Sequence, residues 1–144
     1  MSNYSKVDTG KMNDLDQYKF APEGLPVPLF GKLFLGDLVN LTSMEVSLNK
    51  DAPNTGISFF HSHKNNEELY IFLGGVGEMM IDDDRFTVSE GSVVKVVPGA
   101  QRAWWNTGNE DLYYVVIQAQ SNGLKTAGLN DAELGKAPLE TDES

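Results

Sequence analysis

Short apolar runs recur about every ten residues from position 29 onward, and turn-forming residues separate them. Residues 43–48 alternate strictly between polar and apolar side chains, which is the period of a half-buried strand. Similar runs predict strands at residues 57–63, 68–73, 78–81, 85–88, 92–97 and 112–119, with residues 82–84 as a hairpin turn. The body of the chain shows no amphipathic helix. This pattern predicts an all-β fold, an antiparallel sandwich or barrel.

The two ends of the chain lack the strand pattern. Residues 1–28 are predicted to form a polar N-terminal arm, because residues 1–19 are mostly polar and residues 21–28 contain three prolines and a glycine. Residues 121–144 are predicted to form a C-terminal extension with at most one helical turn, which Asn130 is suited to begin. Residues 29–120 are therefore expected to form the barrel.

Composition and charge narrow the range of partners. A chain of 144 residues has the length of one domain, and 21 acidic against 11 basic residues give a net charge of -10. This charge argues against binding to nucleic acid or to an anionic membrane surface, since both need a basic face. The absence of cysteine excludes disulfides, thiolate metal ligands and cysteine nucleophiles. Because neither a secretory peptide nor a bilayer-spanning run is visible, we expect a cytoplasmic protein.

The histidines suggest a metal site. The chain has two, His61 and His63, and their spacing places both imidazoles on one face of a strand. Glu68 begins the next strand-like run, and a hairpin would bring its carboxylate back toward them. Two imidazoles and one carboxylate form a ligand set that suits Zn, Fe, Ni or Mn and leaves coordination positions open. The alternative is a surface pair of histidines beside a solvated charged turn, but the concentration of all the histidine in one pair favours the metal site.

Two segments resemble the conserved motifs of the cupin superfamily. In the first, residues 61–75, the pattern is His61-x-His63, then Glu68, then six residues and Gly75. The second, residues 91–106, has Gly91, a Pro-Gly turn at residues 98–99 and a terminal asparagine. The resemblance covers about residues 38–120 and implies a small single-domain cupin, a jelly-roll-like barrel of six to eight strands. It also implies a homodimer and a small-molecule ligand.

The second motif departs from the cupin pattern at Arg102, which stands where cupins usually have a fourth metal ligand, a histidine. A guanidinium has no lone pair to donate and repels a dication. Three interpretations stay open. Arg102 binds an anionic substrate beside a three-ligand metal, it pairs with Glu68 in a metal-free pocket, or the same pair only braces the barrel. We favour them in that order.

The resemblance leaves open whether the protein is an enzyme. The first hypothesis is a metal-dependent oxygenase, isomerase or lyase that acts on a small anionic substrate. The alternative is a metal-free, non-catalytic ligand-binding or sensor cupin in which Arg102 binds a carboxylate or another anion. Four aromatic residues near the motifs are either pocket walls for such a ligand or plain core filling: Phe59, Tyr70, Phe72 and Trp104.

Overall fold

Two antiparallel sheets face each other in the computed structural model, which describes residues 2–138. The strands are β1 (Lys19–Phe20), β2 (Leu29–Phe30), β3 (Lys32–Phe34), β4 (Glu45–Asp51), β5 (Gly56–His61), β6 (Asn66–Gly74), β7 (Val76–Ile81), β8 (Asp84–Ser89), β9 (Val93–Val96), β10 (Arg102–Asn106) and β11 (Leu112–Gln120). One sheet has the order β5-β10-β7-β8 and the other β3-β4-β11-β6-β9, while β1 and β2 form a separate ribbon. The all-β architecture predicted from the pattern is confirmed, and so is the jelly-roll-like barrel that the cupin resemblance implies.

Every strand predicted from the sequence is present, but the number of strands and one predicted pairing are wrong. The strands predicted from residues 43–119 appear as β4 to β9 and β11, and the acidic turn at Asp82 joins β7 to β8 as expected. β3 and β10 were not predicted, so the two sheets of the described residues hold nine strands, more than six to eight. The predicted hairpin between the histidines and Glu68 is wrong, because β5 and β6 lie in different sheets.

The core fills the space between the sheets. On β6 the buried positions alternate with more exposed ones, and they are Glu68, Tyr70 and Phe72. Ten buried residues form the core cluster: Ile57, Tyr70, Phe72, Met79, Val88, Val96, Trp104, Leu112, Tyr114 and Val116. Burial of apolar area at about 25 cal/mol per Å² drives this packing, so the polar groups among these residues must find partners inside the barrel.

The N-terminal arm is more ordered than its polar composition suggests. A 3₁₀ helix spans Met12–Gln17 and buries Leu15, whose side chain is 1% exposed. The Lys50 ammonium of β4 donates to the Asn13 carbonyl oxygen at 2.6 Å, which fastens the helix to the barrel. Residues 21–28 form no strand or helix, as their prolines predict. One helical turn, α1 (Gly36–Val39), was not predicted.

The C-terminal extension contains turns rather than a helix over its described residues, 121–138. Around Asn130 the backbone makes two turn hydrogen bonds, from Asn130 to Ala127 and from Ala132 to Leu129, but no helix forms. No helix among residues 2–138 combines the length and the apolar character needed to cross a bilayer.

Candidate metal centre

Three predicted ligands meet inside the barrel. His61 ends β5, His63 follows it, and Glu68 projects from β6 of the opposite sheet. One potential ligand atom from each of the three lies within 4.8 Å of the other two. The Nε2 atom of His63 is 3.3 Å from Oε2 of Glu68, a separation close to that of two ligands sharing one metal ion with bonds of about 2.1 Å.

Backbone contacts fix the strands that carry the two imidazoles. At Gly56, where β5 begins, an added Cβ would collide with the Trp104 carbonyl oxygen of β10, so only glycine allows the two strands to approach this closely. Beyond the end of β5, the His63 carbonyl oxygen accepts a hydrogen bond from the Gly99 amide at 2.8 Å. Both histidines are therefore positioned by the backbone.

Neighbouring donors orient the Glu68 carboxylate. Tyr70 donates its hydroxyl hydrogen to Oε1 of Glu68 at 2.6 Å, and Nη1 of Arg102 donates to the same oxygen at 2.8 Å. The other oxygen, Oε2, faces His63. Because Glu68 is only 4% exposed and both donors act on Oε1, its carboxylate presents Oε2 as the oxygen that could bind a metal.

His61 has the electronic state that a metal ligand needs. Burial, only partly offset by the negative charge of Glu68, lowers the pKa of the His61 imidazole to about 4, so the ring is neutral at pH 7. Its Nδ1 atom is buried and has no hydrogen-bond partner among residues 2–138. A buried, unpartnered ring nitrogen beside a second histidine and an oriented carboxylate fits a divalent cation such as Zn, Fe, Ni or Mn.

Arg102 lies behind Glu68 and not on the cavity surface where an anion contact was expected. Its side chain is 0% exposed, and Nη2 donates to the Val97 carbonyl oxygen at 3.3 Å. The Nε atom is buried, and no described residue accepts a hydrogen bond from it. Arg102 is the β10 residue opposite His61, so it enters the barrel beside the imidazole. Of the interpretations left open by the sequence, the observed contact is the pairing with Glu68.

A cavity of about 290 Å³ opens in front of His61, His63 and Glu68. Three of the four aromatic residues singled out from the sequence line it: Phe59, Tyr70 and Trp104. Phe72 does not, because it packs in the core with its ring 5.5 Å from that of Tyr114. The N-terminal arm also lines the cavity through Phe20 and Leu25. The site is thus a mainly apolar cavity into which polar side chains from both sheets project.

Comparison with known proteins agrees with this architecture. Residues 48–118 match the family model described as Cupin domain. The barrel is a cupin domain. A cupin protein from Bacteroides fragilis superposes with a TM-score of 0.77 at 26% identity, covering 94% of this chain and 100% of that one.

Other relatives match parts of this cupin. A proposed sugar phosphate isomerase from Acidithiobacillus ferrooxidans gives a TM-score of 0.56 at 26% identity, over 62% of this chain and 58% of that one. A predicted oxalate decarboxylase from Thermotoga maritima gives 0.50 at 24% identity, over 52% and 64%. An uncharacterised protein of Methanocaldococcus jannaschii is 33% identical over 55 residues, which are 38% of this chain and 44% of that protein. The match thus spans less than half of this curated relative.

Sequence reasoning missed Lys32, which lines the cavity of this cupin together with the three potential ligands. Burial lowers the pKa of the Lys32 ammonium to about 8, although the charges of Asp51 and Glu68 oppose the change. The available signal was a lysine inside the otherwise apolar run of residues 29–35. A charge in such a run points either to an exposed edge or to a functional cation.

Asp51 is a second titratable group near Lys32. Its carboxylate accepts a hydrogen bond from Trp104 Nε1 at 3.2 Å, and that indole also donates to the Tyr114 hydroxyl at 2.7 Å. Burial raises the pKa of the Asp51 carboxyl to about 6, and hydrogen bonds from Tyr114 and Trp104 together with the charge of Lys32 limit the rise. The charges of Asp51 and Lys32 therefore act on each other inside the barrel.

Proposed function

We propose that this cupin binds a divalent metal ion through His61, His63 and Glu68 and acts on a small anionic molecule in the adjoining cavity. The observation that carries the proposal is that ligand atoms of His61, His63 and Glu68 lie within 4.8 Å of one another beside a cavity of about 290 Å³, with the Glu68 carboxylate oriented by two hydrogen bonds. Three protein ligands leave positions for a substrate, as in catalytic metal sites.

The charges around the site favour an anion. A divalent ion with a single carboxylate ligand keeps a net positive charge. Arg102, which is hydrogen-bonded to the same carboxylate, adds a second positive charge to the site. Coulomb attraction for an anionic ligand is strong in a site walled by Phe59 and Trp104, because aromatic side chains keep water out and lower the effective dielectric constant. Arg102 would thus favour the anion through its charge, without touching it.

The chain's own residues define what the site can do. A bound metal would supply a Lewis acid that polarises a carbonyl or, if it is iron, a centre for oxygen chemistry. Tyr70 and Arg102 hold Glu68 in place, while the aromatic wall orients the substrate. An oxygenase, isomerase or lyase reaction fits these parts. The structural neighbours described as an isomerase and a decarboxylase support testing sugar phosphates and oxalate as substrates.

A second candidate is a metal-free binding or sensor module. The observation that favours it is that Glu68 has protein partners without any metal, from Arg102 and Tyr70 on Oε1 and from His63 near Oε2. The cavity would then bind its ligand without chemistry. The two candidates differ in whether the purified protein retains a stoichiometric metal ion.

The decisive experiment is elemental analysis of the protein purified without added metal, followed by titration with Zn²⁺, Fe²⁺, Ni²⁺ and Mn²⁺. We expect one bound ion per chain, lost in His61→Ala, in His63→Ala and in Glu68→Gln. Glu67→Gln is the matched control, because it makes the same substitution at the neighbouring residue, which is not in the ligand group. A wild-type protein that binds none of the four ions would exclude the metal-dependent function and favour the sensor.

The quaternary state and the location are further predictions. The family resemblance supports a homodimer, which light scattering on the purified protein would test; a monomer at all concentrations would contradict it. The expected cytoplasmic location, and the absence of nucleic-acid and membrane partners expected from the net charge of -10, also stay predictions.

A further inference from the structure

Lys32 is a half-buried cation in the cavity wall that the proposed metal site does not use. It lies on β3 opposite Asn49 of β4. Its ammonium donates to Oδ1 of Asn49 at 2.8 Å and to Oγ of Ser47 at 3.3 Å. Both acceptors are neutral, so neither balances the charge of the ammonium.

The acceptors of Lys32 form a fixed cradle. Asn49 is 1% exposed and Ser47 is 2% exposed. The side-chain nitrogen of Asn49, Nδ2, donates to the Ser47 carbonyl oxygen at 3.1 Å, to the Ser47 hydroxyl at 3.0 Å and to the Tyr114 carbonyl oxygen at 3.3 Å. These contacts turn Oδ1 of Asn49 toward Lys32. The ammonium also lies 5.1 Å from the ring centroid of Phe34, within cation–π distance.

No carboxylate forms an ion pair with Lys32 among residues 2–138. The contrast with Lys50 on the neighbouring strand is direct, since its ammonium lies 3.5 Å from Asp16 and 3.8 Å from Asp111. An ammonium has three hydrogen-bond donors, and the structure gives that of Lys32 two acceptors. Asp51 and Glu68 act on Lys32 through their charges but do not touch it. A cation on a cavity wall whose hydrogen-bond acceptors are all neutral points to an anion supplied by a ligand.

We propose that Lys32 is the anion-binding residue of the cavity, and that the ligand is a small carboxylic acid whose carboxylate contacts the Lys32 ammonium. Lys32 and the proposed metal ligands line the same cavity, so the other end of that acid faces His61, His63 and Glu68. That second contact rests on the proposed metal-dependent function, whereas the contact with Lys32 does not. One lysine, with no arginine among the described lining residues, matches a carboxylate better than a doubly charged phosphate.

The test uses calorimetric titration of the full chain with malonate, succinate and glutarate, and with succinamide as the uncharged counterpart of succinate. Zn²⁺-loaded and EDTA-treated proteins are compared. Lys32→Met keeps the apolar stem and removes the charge. Lys95→Met is the matched control, because Lys95 is an exposed lysine of β9.

We expect the wild type to bind at least one dicarboxylate and to discriminate against succinamide. Lys32→Met should weaken the binding about ten-fold or more, as expected for the loss of a charge-assisted hydrogen bond, while Lys95→Met leaves it unchanged. Zn²⁺ stoichiometry should be the same in all three proteins. Equal dicarboxylate affinity in wild type and Lys32→Met overturns the inference, and so does the failure of all three acids to bind the wild type.

Two further outcomes show whether the Lys32 site and the proposed metal site stand or fall independently. If the wild type holds no metal but still loses dicarboxylate binding in Lys32→Met, the metal proposal fails and the Lys32 site stands. If Lys32→Met does not fold, the lysine side-chain resonances of the wild type provide the readout. Succinate should shift the Lys32 signal and leave that of Lys95 in place, and an unperturbed Lys32 signal overturns the inference.

Discussion

Replacement of Arg102 by methionine tests whether the buried ion pair holds the site together. Nη1 of Arg102 lies 2.8 Å from Oε1 of Glu68, and the two side chains are 0% and 5% exposed. Methionine retains much of the apolar stem but cannot donate a hydrogen bond. The substitution therefore leaves the Glu68 carboxylate in the barrel without its cationic partner.

The expected loss follows from that burial. Removing one member of a buried ion pair costs about 3–5 kcal/mol, because the remaining charge stays desolvated. Glu68 keeps the Tyr70 hydroxyl at 2.6 Å and the imidazole of His63 at 3.3 Å, so we expect the lower end of this range. For a domain of this size, about 3 kcal/mol lowers the melting temperature by roughly 10 °C.

The other arginine of the chain provides a matched control. Nε of Arg85 also lies 2.8 Å from a glutamate oxygen, Oε1 of Glu78, but these side chains are 67% and 32% exposed. Arg85→Met makes the same chemical change at the same separation from a glutamate oxygen, in an ion pair that is far more exposed. Because exposed ion pairs contribute about 0–1 kcal/mol, Arg85→Met should lower the free energy of unfolding by no more than that.

The measurement is urea and thermal unfolding of the EDTA-treated proteins, which keeps metal binding out of the comparison. A double-mutant cycle of Arg102→Met with Glu68→Gln isolates the pair, and we expect a coupling free energy of about 2 kcal/mol. Equal destabilisation by Arg102→Met and Arg85→Met would refute the reasoning. So would a cycle that is additive within about 0.5 kcal/mol.

Three further predictions address the same interior. Arg102→His should increase Zn²⁺ affinity in titrations. Position 102 is paired with His61 between β10 and β5, and the substitution adds an imidazole there and removes a positive charge. An unchanged Zn²⁺ affinity would contradict this. Succinate affinity should be highest near pH 7 and fall above about pH 8, because the Lys32 ammonium, whose pKa burial lowers to about 8 against the charges of Asp51 and Glu68, loses its proton there. Calorimetry at a series of pH values checks this, and an affinity that does not change up to about pH 10 would argue against a role for the ammonium. Tryptophan emission should change near pH 6, because burial raises the pKa of the Asp51 carboxyl to about 6. Protonation of Asp51 as the pH falls weakens the hydrogen bond that it accepts from Trp104. Asp51→Asn should abolish this change.

The sequence by itself determined the local structure of the barrel. Strict alternation places β4, the β-branched and aromatic run predicts β11, and the acidic turn at Asp82 joins β7 to β8. These features depend on a few consecutive residues, because side-chain direction alternates along a strand and turns have their own residue preferences. The same local signals missed β3, which has three residues, and β10, whose buried run of residues 102–106 lacks alternation.

The spacing of the histidines and Glu68 also indicated a cluster, but for a reason that the structure corrects. We expected a hairpin, which would make the three residues neighbours in one sheet. They meet instead because β5 and β6 belong to opposite sheets and both project side chains into the space between them. Spacing along the chain indicates that two strands are near each other and does not say whether they pair or face each other.

Only the tertiary structure decided which partner each charge inside the barrel takes. Arg102 and Glu68 are 34 residues apart, and Lys32 and Asn49 are 17 apart, so no local pattern links them. From the sequence alone, the partner of Arg102 was either Glu68 or an anionic ligand, and no role was predicted for Lys32. Packing of the two sheets brings Arg102 to Glu68 and leaves Lys32 with neutral acceptors at the cavity. The choice of partner depends on distances and desolvation between strands, and these exist only once the sheets are assembled.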